Sequence, residues 1–160
     1  MSIYDQNKHA HSVGWNVWHM QWCTKYRYKA FKQDYIKNIC IIAIEEAAKR
    51  FGIEVIDVEV DIDHVHLVAS LPMTMNSTKA LQLLKGFSAY LIFKQVPNFR
   101  KLYPEGHLWS PGKFAASIGH ITLEKAKTYL EAHHAKALLC RRESPPFRAW
   151  EDVNFLQLCT

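Results

Sequence analysis

The sequence predicts an α+β domain in which a four-stranded antiparallel sheet is backed by helices. Two observations support this prediction. Segments rich in alternating or β-branched apolar residues, which are typical of strands, are separated by segments whose apolar residues recur at helical spacing. Their order is strand, helix, strand, strand, helix, strand, helix, and a ferredoxin-like or RRM-like architecture is the simplest one that accommodates this order.

The first two predicted elements are a strand and a helix. Residues 12–24 are rich in Val and Trp and predict one long strand. Over about residues 33–51 the apolar positions recur at helical spacing, and Gly52 follows as a residue that commonly ends helices. The apolar stripe of this helix is made by Ile36, Ile39, Cys40, Ala43, Ala47 and Ala48.

A β-hairpin is predicted next. Its first strand lies within "IEVIDVEVDID", where successive side chains would point to opposite faces. One face is assigned Val55, Asp57, Glu59 and Asp61, and the other is assigned Ile56, Val58 and Val60. A turn near residues 61–63 leads into "HVHLVAS", which predicts the antiparallel partner strand.

The second half of the chain predicts two further helices and a short strand. Asn76 or Ser77 can cap a helix that runs to about Lys94. After a looser stretch, a short strand is expected near residues 113–118. Thr122 can then cap a third helix, which completes the order of elements given above.

Length and composition bound the class of protein. The 160 residues suffice for one domain, expected over residues 1–160 with a core at about 12–134 and a C-terminal extension at 135–160. No apolar run approaches the roughly 18 to 20 residues that span a bilayer, so we expect a cytoplasmic protein without a membrane partner. The formal charge of +5 fits a polyanionic partner. The four cysteines are far apart in the sequence, so we expect them to be reduced thiols that serve as packing residues: Cys23, Cys40, Cys140 and Cys159.

Two histidines one residue apart stand at the start of the second hairpin strand. His64 and His66 would share one face of the strand, while Val65 points into the core. Such a pair could supply two nitrogen ligands to one metal ion. Three interpretations are open at this point: exposed histidines with no special role, a structural zinc corner, or the open half of a catalytic metal site.

A tyrosine and a histidine four residues apart lie on the third predicted helix. Tyr129 and His133 stack on one helical face, whereas His134 points elsewhere. A tyrosine phenolate can attack phosphorus and form a covalent phosphotyrosine, while a metal ion neutralises charge on the phosphate. The alternative is a half-buried helix tyrosine that takes part in no reaction.

Five segments in a fixed order carry a resemblance to a known family. They are "WCTKYRYKAF" after the first strand, "DIDHVHLVAS", "LLKGFSAYLIF" in the second helix, "LWSPGKF", and "KTYLEAH" in the last helix. With them, residues 12–134 resemble the small single-tyrosine HUH transposases of the insertion-sequence 200/605 family, the TnpA type. The resemblance implies a nucleophilic tyrosine, with Mg²⁺ or Mn²⁺ bound by two histidines and the residue four after the tyrosine. These roles fall on Tyr129 and on His64, His66 and His133.

One position departs from the family's pattern. The family usually carries Gln where this chain has His133, so a nitrogen ligand replaces an amide oxygen, which favours manganese or another transition metal. Rolling-circle replication initiators share the His-hydrophobic-His motif but tend to carry Lys four residues after the tyrosine. His133 therefore favours the transposase.

The resemblance implies an enzyme that cuts and rejoins single-stranded DNA at hairpin-bearing ends by transesterification through a 5′-phosphotyrosine. Lys25, Tyr26, Arg27 and Lys85 are the candidates for DNA contact, because they combine phosphate-pairing charge with a stacking surface. It also implies a homodimer with a shared active site. A segment rich in Gly and Pro separates the histidines from the tyrosine, and it would make the tyrosine-bearing helix mobile enough to dock on a partner.

Two alternatives to this function are open. A domesticated transposase associated with repetitive palindromic elements would keep the chemistry without moving its own element. An RRM-like module would instead bind single-stranded nucleic acid through the basic and aromatic surface, without any reaction.

Overall fold

The structure is a computed structural model that describes residues 8–9 and 12–119. The third predicted helix, with Tyr129 and His133, lies outside the described residues, and so does the predicted C-terminal extension. The predicted domain boundaries therefore stay predictions. The elements in chain order are β1 (Lys8–His9), β2 (Ser12–Val13), β3 (Val17–Cys23), a 3-10 turn (Lys25–Arg27), α1 (Asp34–Arg50), β4 (Glu54–Val60), β5 (His64–Ser70), α2 (Ser77–Gln95), α3 (Phe99–Leu102) and β6 (Phe114–Ile118).

Four strands form the main sheet, in the order β4-β5-β3-β6, and every neighbouring pair is antiparallel. The chain enters this sheet as β3-α1-β4-β5-α2-β6, which is the ferredoxin-like succession of elements. The predicted fold class is confirmed. Strands β1 and β2 form a separate two-stranded antiparallel sheet.

The two long helices begin and end where local chemistry favours it. The Asn76 side chain caps α2 by accepting a hydrogen bond from the backbone N–H of Lys79 at 2.8 Å. Gly52 follows α1 with a φ of +67°, a conformation that a residue without Cβ adopts readily. The apolar stripe predicted for α1 is buried, with Ile44 added and Ile39 only partly covered. Within residues 8–9 and 12–119, none of the helices has the length and apolar character that a membrane span requires.

The prediction of one unbroken strand over residues 12–24 is wrong. Strand β2 ends at Val13 and β3 begins at Val17, so the chain leaves the extended ladder between them. The side chain of Asn16 explains part of this break, because its amide donates hydrogen bonds to the backbone carbonyls of Pro72 at 2.9 Å and Met75 at 3.0 Å. A polar side chain that binds distant backbone in this way competes with regular strand pairing.

The predicted assignment of β4 side chains to the two sheet faces is wrong for the residues that precede a β-bulge in this strand. The strand register passes from Val55 opposite Ala69 to Asp57 opposite Val68, which leaves Ile56 as an extra residue. One extra residue reverses the alternation of side chains, because the side-chain period of a strand is two. Val55 therefore packs against the hydrophobic core instead of sharing a face with the acidic residues.

The main sheet has one face that packs on α1 and α2 and an opposite face, named the polar face after His64 and His66, which lie on it. On β5, Val65 and Leu67 are fully buried in the core that the sheet shares with α1 and α2. The residues that alternate with them, His64 and His66, are only half-buried. This alternation brings both imidazoles to the face opposite the hydrophobic core.

Candidate active site

The two histidines of β5 lie side by side on the polar face of the sheet. The ring centroids of His64 and His66 are 5.0 Å apart, and the ring planes are inclined by 76°. The hairpin turn before them is closed by a hydrogen bond of 2.8 Å from the backbone N–H of Asp61 to the carbonyl of His64. The pair therefore lies at the start of β5, a central strand that is hydrogen-bonded to β4 on one side and to β3 on the other.

Strand register identifies the other side chains on this face. Residues directly opposite each other in an antiparallel pair point to the same face. His66 stands opposite Gln21 on β3 and opposite Glu59 on β4, and His64 stands opposite Cys23. Further along the same face lie His19 and Phe114. None of these five neighbours was a predicted site residue, and the alternation "HMQWC" in β3 is the signal that could have shown three of them.

A chain of hydrogen bonds holds the His64 ring. The Nδ1 atom of His64 lies 2.7 Å from Oδ1 of Asp63, and Nε of Arg27 lies 3.0 Å from Oδ2 of the same carboxylate. An ionised carboxylate only accepts hydrogen bonds, so Nδ1 of His64 is the donor in this contact. The carboxylate of Asp63 is largely buried, while the side chain of Arg27 is mostly exposed.

The 3-10 turn that carries Arg27 has an unusual backbone. Tyr26 has a φ of 61° and Arg27 a φ of 55°, so two successive residues with side chains adopt the left-handed conformation. Such residues cost on the order of 1–3 kcal/mol each and persist where the surroundings hold them in place. The surroundings here include Thr24, whose backbone N–H donates to the carbonyl of Asp63 at 2.9 Å. Backbone and side chain of Asp63 are thus both bound to the turn.

A third histidine contacts His66 in a similar way. Nε2 of His19 lies 3.3 Å from Nδ1 of His66, and the two rings are stacked with centroids 5.6 Å apart. Burial lowers the pKa of His19, which favours its neutral form. A neutral His19 can accept a hydrogen bond from Nδ1 of His66, and that arrangement directs Nε2 of His66 away from the contact.

The donor set fits part of a divalent metal site. Neighbours contact Nδ1 of both His64 and His66, and metal-binding histidines commonly have one ring nitrogen held by a neighbour in this way. Oδ2 of Asp61 lies 3.8 Å from Nε2 of His64. In the part of the chain that the structure describes, no group of three or more His, Cys, Asp or Glu side chains is arranged to hold a metal ion. A site with three protein ligands would need a further residue, and the predicted one, His133, lies outside the described residues.

Two of the predicted DNA contacts line one cleft beside the 3-10 turn. Its volume is about 460 Å³, and it lies between the turn, α2 and the loop before β6. Nζ of Lys25 forms an ion pair with Glu105 at 2.5 Å. Nζ of Lys85 donates to the backbone carbonyls of Ser110 at 2.6 Å and Gly112 at 3.2 Å, and burial lowers the pKa of Lys85. Lys85 thereby fastens the loop that leads into β6.

The other two predicted DNA contacts, Tyr26 and Arg27, follow Lys25 in the same turn. Arg27 is bound to Asp63 rather than directed into the cleft. Tyr26 is 64% exposed, and its ring lies 5.4 Å from the ring of Tyr28. An exposed aromatic pair beside Lys25 is a surface on which unpaired bases can stack.

Sequence comparison decides the family. The family model described as "Transposase IS200 like" matches residues 15–133. The chain belongs to this transposase family. The transposase is 31% identical over 119 residues to the ISDra2 transposase TnpA of Deinococcus radiodurans, a match that covers 74% of the chain and 84% of that protein. It is 23% identical over 128 residues to the transposase for insertion sequence element IS200 of Salmonella typhimurium, with 79% and 82% covered.

Solved structures share the fold of the transposase. A crystal structure of a candidate transposase from Deinococcus radiodurans R1 superposes with a TM-score of 0.64 at 24% identity, covering 79% of the chain and 97% of that protein. A REP-associated tyrosine transposase bound to a REP hairpin superposes with a TM-score of 0.50 at 12% identity, covering 78% and 67%. Membership of a transposase family makes the protein an enzyme that cuts and rejoins DNA.

Proposed function

We propose that the transposase cuts and rejoins single-stranded DNA at hairpin-bearing element ends, with Tyr129 as the nucleophile. The observation that carries this proposal is the pair His64 and His66, which lie side by side on the polar sheet face with the Nδ1 atom of each ring in contact with a neighbouring side chain. Such a pair suits the binding of a phosphate through a divalent metal ion. The family to which the chain belongs supports the DNA substrate.

The metal ion would be held by His64, His66 and His133, with Mg²⁺ or Mn²⁺ as the cation. When bound, it neutralises negative charge on the scissile phosphate. Asp63 and His19 keep the two strand histidines in the tautomer that binds metal, because each contacts the Nδ1 atom of one ring. Arg27 in turn holds the carboxylate of Asp63.

The reaction exchanges one phosphate ester for another. Oη of Tyr129, as the phenolate, attacks the phosphorus and forms an ester with the 5′ phosphate of the DNA. The bond between phosphorus and the 3′ oxygen breaks, and that oxygen takes up a proton to become a free 3′ hydroxyl. A 3′ hydroxyl from another strand end reverses the step, displaces Tyr129 and reseals the DNA. No nucleotide cofactor is needed, since the ester bond is conserved throughout.

The DNA would lie over the 3-10 turn and the adjoining cleft. Lys25 and Lys85 give the cleft its positive charge, and Tyr26 offers an exposed ring. Arg27 adds positive charge to the turn while its Nε atom stays on Asp63. The REP-associated relative, which shares the fold, binds a hairpin, and this supports hairpin DNA as the substrate of the present chain.

The active site would be shared between two copies of the chain. The histidine pair lies on a central strand, whereas the proposed nucleophile comes after β6. Of the glycines and prolines in the predicted hinge, Gly106, Pro111 and Gly112 precede β6, so Gly119 is the one placed to let the predicted helix dock on its own domain or on a partner. Exchange between identical protomers would then close a dimer with two composite sites.

The test of the proposed reaction is formation of a covalent adduct. A labelled hairpin oligonucleotide is incubated with the transposase and Mg²⁺ or Mn²⁺, and the products are separated on a denaturing gel. We expect a protein–DNA adduct with the unmodified chain and with the control Tyr90→Phe, and none with Tyr129→Phe. Retention of the hairpin without an adduct would instead identify a binding module, and an adduct with Tyr129→Phe would mean that another residue is the nucleophile.

A further inference from the structure

Phe114 is an aromatic side chain in an unexpected place. It opens β6 and is 51% exposed, although Phe is usually buried. Among the exposed large hydrophobic side chains of the described residues, Phe114 alone lies on a strand of the sheet. Its cross-strand partner is Gln21, which itself stands opposite His66, so Phe114 shares the polar face with the histidine pair.

A continuous series of ring contacts joins Phe114 to the histidine pair. The ring centroids of Phe114 and His19 are 5.8 Å apart at an inclination of 69°. His19 stacks on His66 with centroids 5.6 Å apart, and His66 meets His64 at 5.0 Å. His19 therefore contacts a proposed metal ligand on one side and an exposed aromatic ring on the other.

The spacing suits a single nucleotide. Phe114 lies two strands away from His66 in the same cross-strand row, which corresponds to roughly 10 Å at about 4.8 Å per strand. A scissile phosphate at the histidine pair would carry its flanking base toward this edge of the sheet. Bases in single-stranded DNA stack readily on aromatic side chains, and a four-stranded sheet of this type offers its face for such stacking in RRM domains.

We propose that Phe114, supported by His19, is the stacking site for the unpaired base next to the scissile phosphate. This inference rests on the proposed function, because it takes the histidine pair as the position of that phosphate. The ligand is a nucleobase of the DNA substrate, and stacking selects for the presence and size of its ring system rather than for its hydrogen-bonding edge. A flanking purine is therefore bound more tightly than a flanking pyrimidine.

The test is a double-mutant cycle in which the Phe114 ring is removed from the protein and a base is removed from the DNA, singly and together. Each hairpin oligonucleotide carries one abasic position, which is moved in turn through every unpaired nucleotide beside the hairpin. Affinity is measured by fluorescence anisotropy in a Tyr129→Phe background, so that no cleavage occurs. We expect the abasic change at one flanking position to weaken binding roughly 10-fold, as loss of one stacked base does. In Phe114→Ala, the intact DNA binds with that same weakened affinity and the abasic change has no further effect.

Further variants separate stacking from folding. Phe114→Trp keeps an aromatic ring and retains the parent affinity, whereas Phe114→Leu keeps apolar bulk and loses it. Tyr90→Ala is the matched control, since it removes a ring of similar exposure from α2. It is expected to leave the affinities for intact DNA and for abasic DNA unchanged. A 2-aminopurine placed at the flanking position reports the same contact, because its fluorescence is quenched by stacking on Phe114 and not in Phe114→Leu.

The outcomes distinguish the stacking site from the proposed reaction. If the abasic penalty is the same with and without Phe114, the ring faces another partner and the inference is overturned, even when the Tyr129 adduct forms. If the adduct never forms but the penalty disappears in Phe114→Ala, the base site stands and the proposed reaction is wrong. Parent affinity in both Phe114→Ala and Phe114→Leu likewise overturns the inference.

Discussion

Arg27 and Asp63 form an ion pair in which Nε of Arg27 donates to Oδ2 of Asp63 at 3.0 Å. The other oxygen of Asp63 accepts the hydrogen bond from Nδ1 of His64 at 2.7 Å. The 3-10 turn is therefore connected to the histidine pair through one carboxylate. Arg27 is a positioning residue for His64, although its place in a basic and aromatic segment suggests a DNA contact alone.

Replacing Arg27 is expected to weaken metal binding. Arg27→Ala frees the carboxylate of Asp63, so the His64 ring loses its fixed orientation, and loss of such supporting contacts typically lowers metal affinity about 10- to 100-fold. Mn²⁺ binding without DNA, followed by calorimetry, measures the effect. Lys25→Ala is the matched control, because it removes one positive charge from the same turn but contacts Glu105 instead. Equal Mn²⁺ affinities for the two variants would contradict the positioning role.

The backbone of the turn makes a prediction about stability. Because Tyr26 has a φ of 61°, Tyr26→Gly is expected to be more stable than Tyr26→Ala by about 1 kcal/mol, as glycine adopts this conformation without strain. Urea unfolding of both variants measures the difference. At Tyr90 in the middle of α2 the order reverses, and alanine is expected to be better than glycine by about 1 kcal/mol. The same sign at both positions would mean that the turn is not left-handed in solution.

Removal of Glu105 is expected to strengthen DNA binding. Glu105 is exposed and pairs with Lys25, so Glu105→Gln frees the ammonium group for a phosphate. The affinity for a hairpin oligonucleotide is expected to rise. A plot of log affinity against log salt concentration should also become steeper, by an amount that corresponds to the release of about one further counterion. Glu46→Gln on the exposed side of α1 changes the net charge equally and serves as the control. Identical salt slopes for the two variants would exclude a contact between Lys25 and phosphate.

Complementation between two inactive variants tests the shared site. A double variant, His64→Ala with His66→Ala, keeps Tyr129, whereas Tyr129→Phe keeps the histidine pair. Mixed under conditions that allow subunit exchange, they should form some dimers with one intact composite site, and the adduct should appear on the subunit that keeps Tyr129. Heterodimers verified by differential tagging that form no adduct would place the nucleophile and the histidines in the same chain.

The order of the main strands and the two long helices from β3 to β6 could be predicted, and so could the faces of β5, because they follow from side-chain periods of two and 3.6 that the sequence displays directly. The bulge at Ile56 could not, since one extra residue leaves no mark in the composition of β4. Nor could the break before β3, because Asn16 is held by carbonyls more than fifty residues away along the chain.

The candidate site divides in the same way. The shared face of His64 and His66 follows from their spacing alone. The roles of His19 and Phe114 depend on how β3 pairs with β5 and β6, and a lone histidine or phenylalanine in a strand gives no sign of that register. The contact between Arg27 and Asp63 likewise depends on tertiary structure. The roles of Tyr129 and His133 stay predictions, because both residues lie outside the described part of the chain.

The 3-10 turn also assigns its residues to two separate tasks. Arg27 and the preceding Thr24 are bound to Asp63, whereas Tyr26 is exposed to solvent and Lys25 pairs with the exposed Glu105. With the DNA contacts proposed for Lys25 and Tyr26, substitutions at these two residues are expected to alter how DNA is bound while the histidine pair keeps its support. Natural divergence in target preference, and laboratory selection for new targets, would both begin at Lys25 and Tyr26.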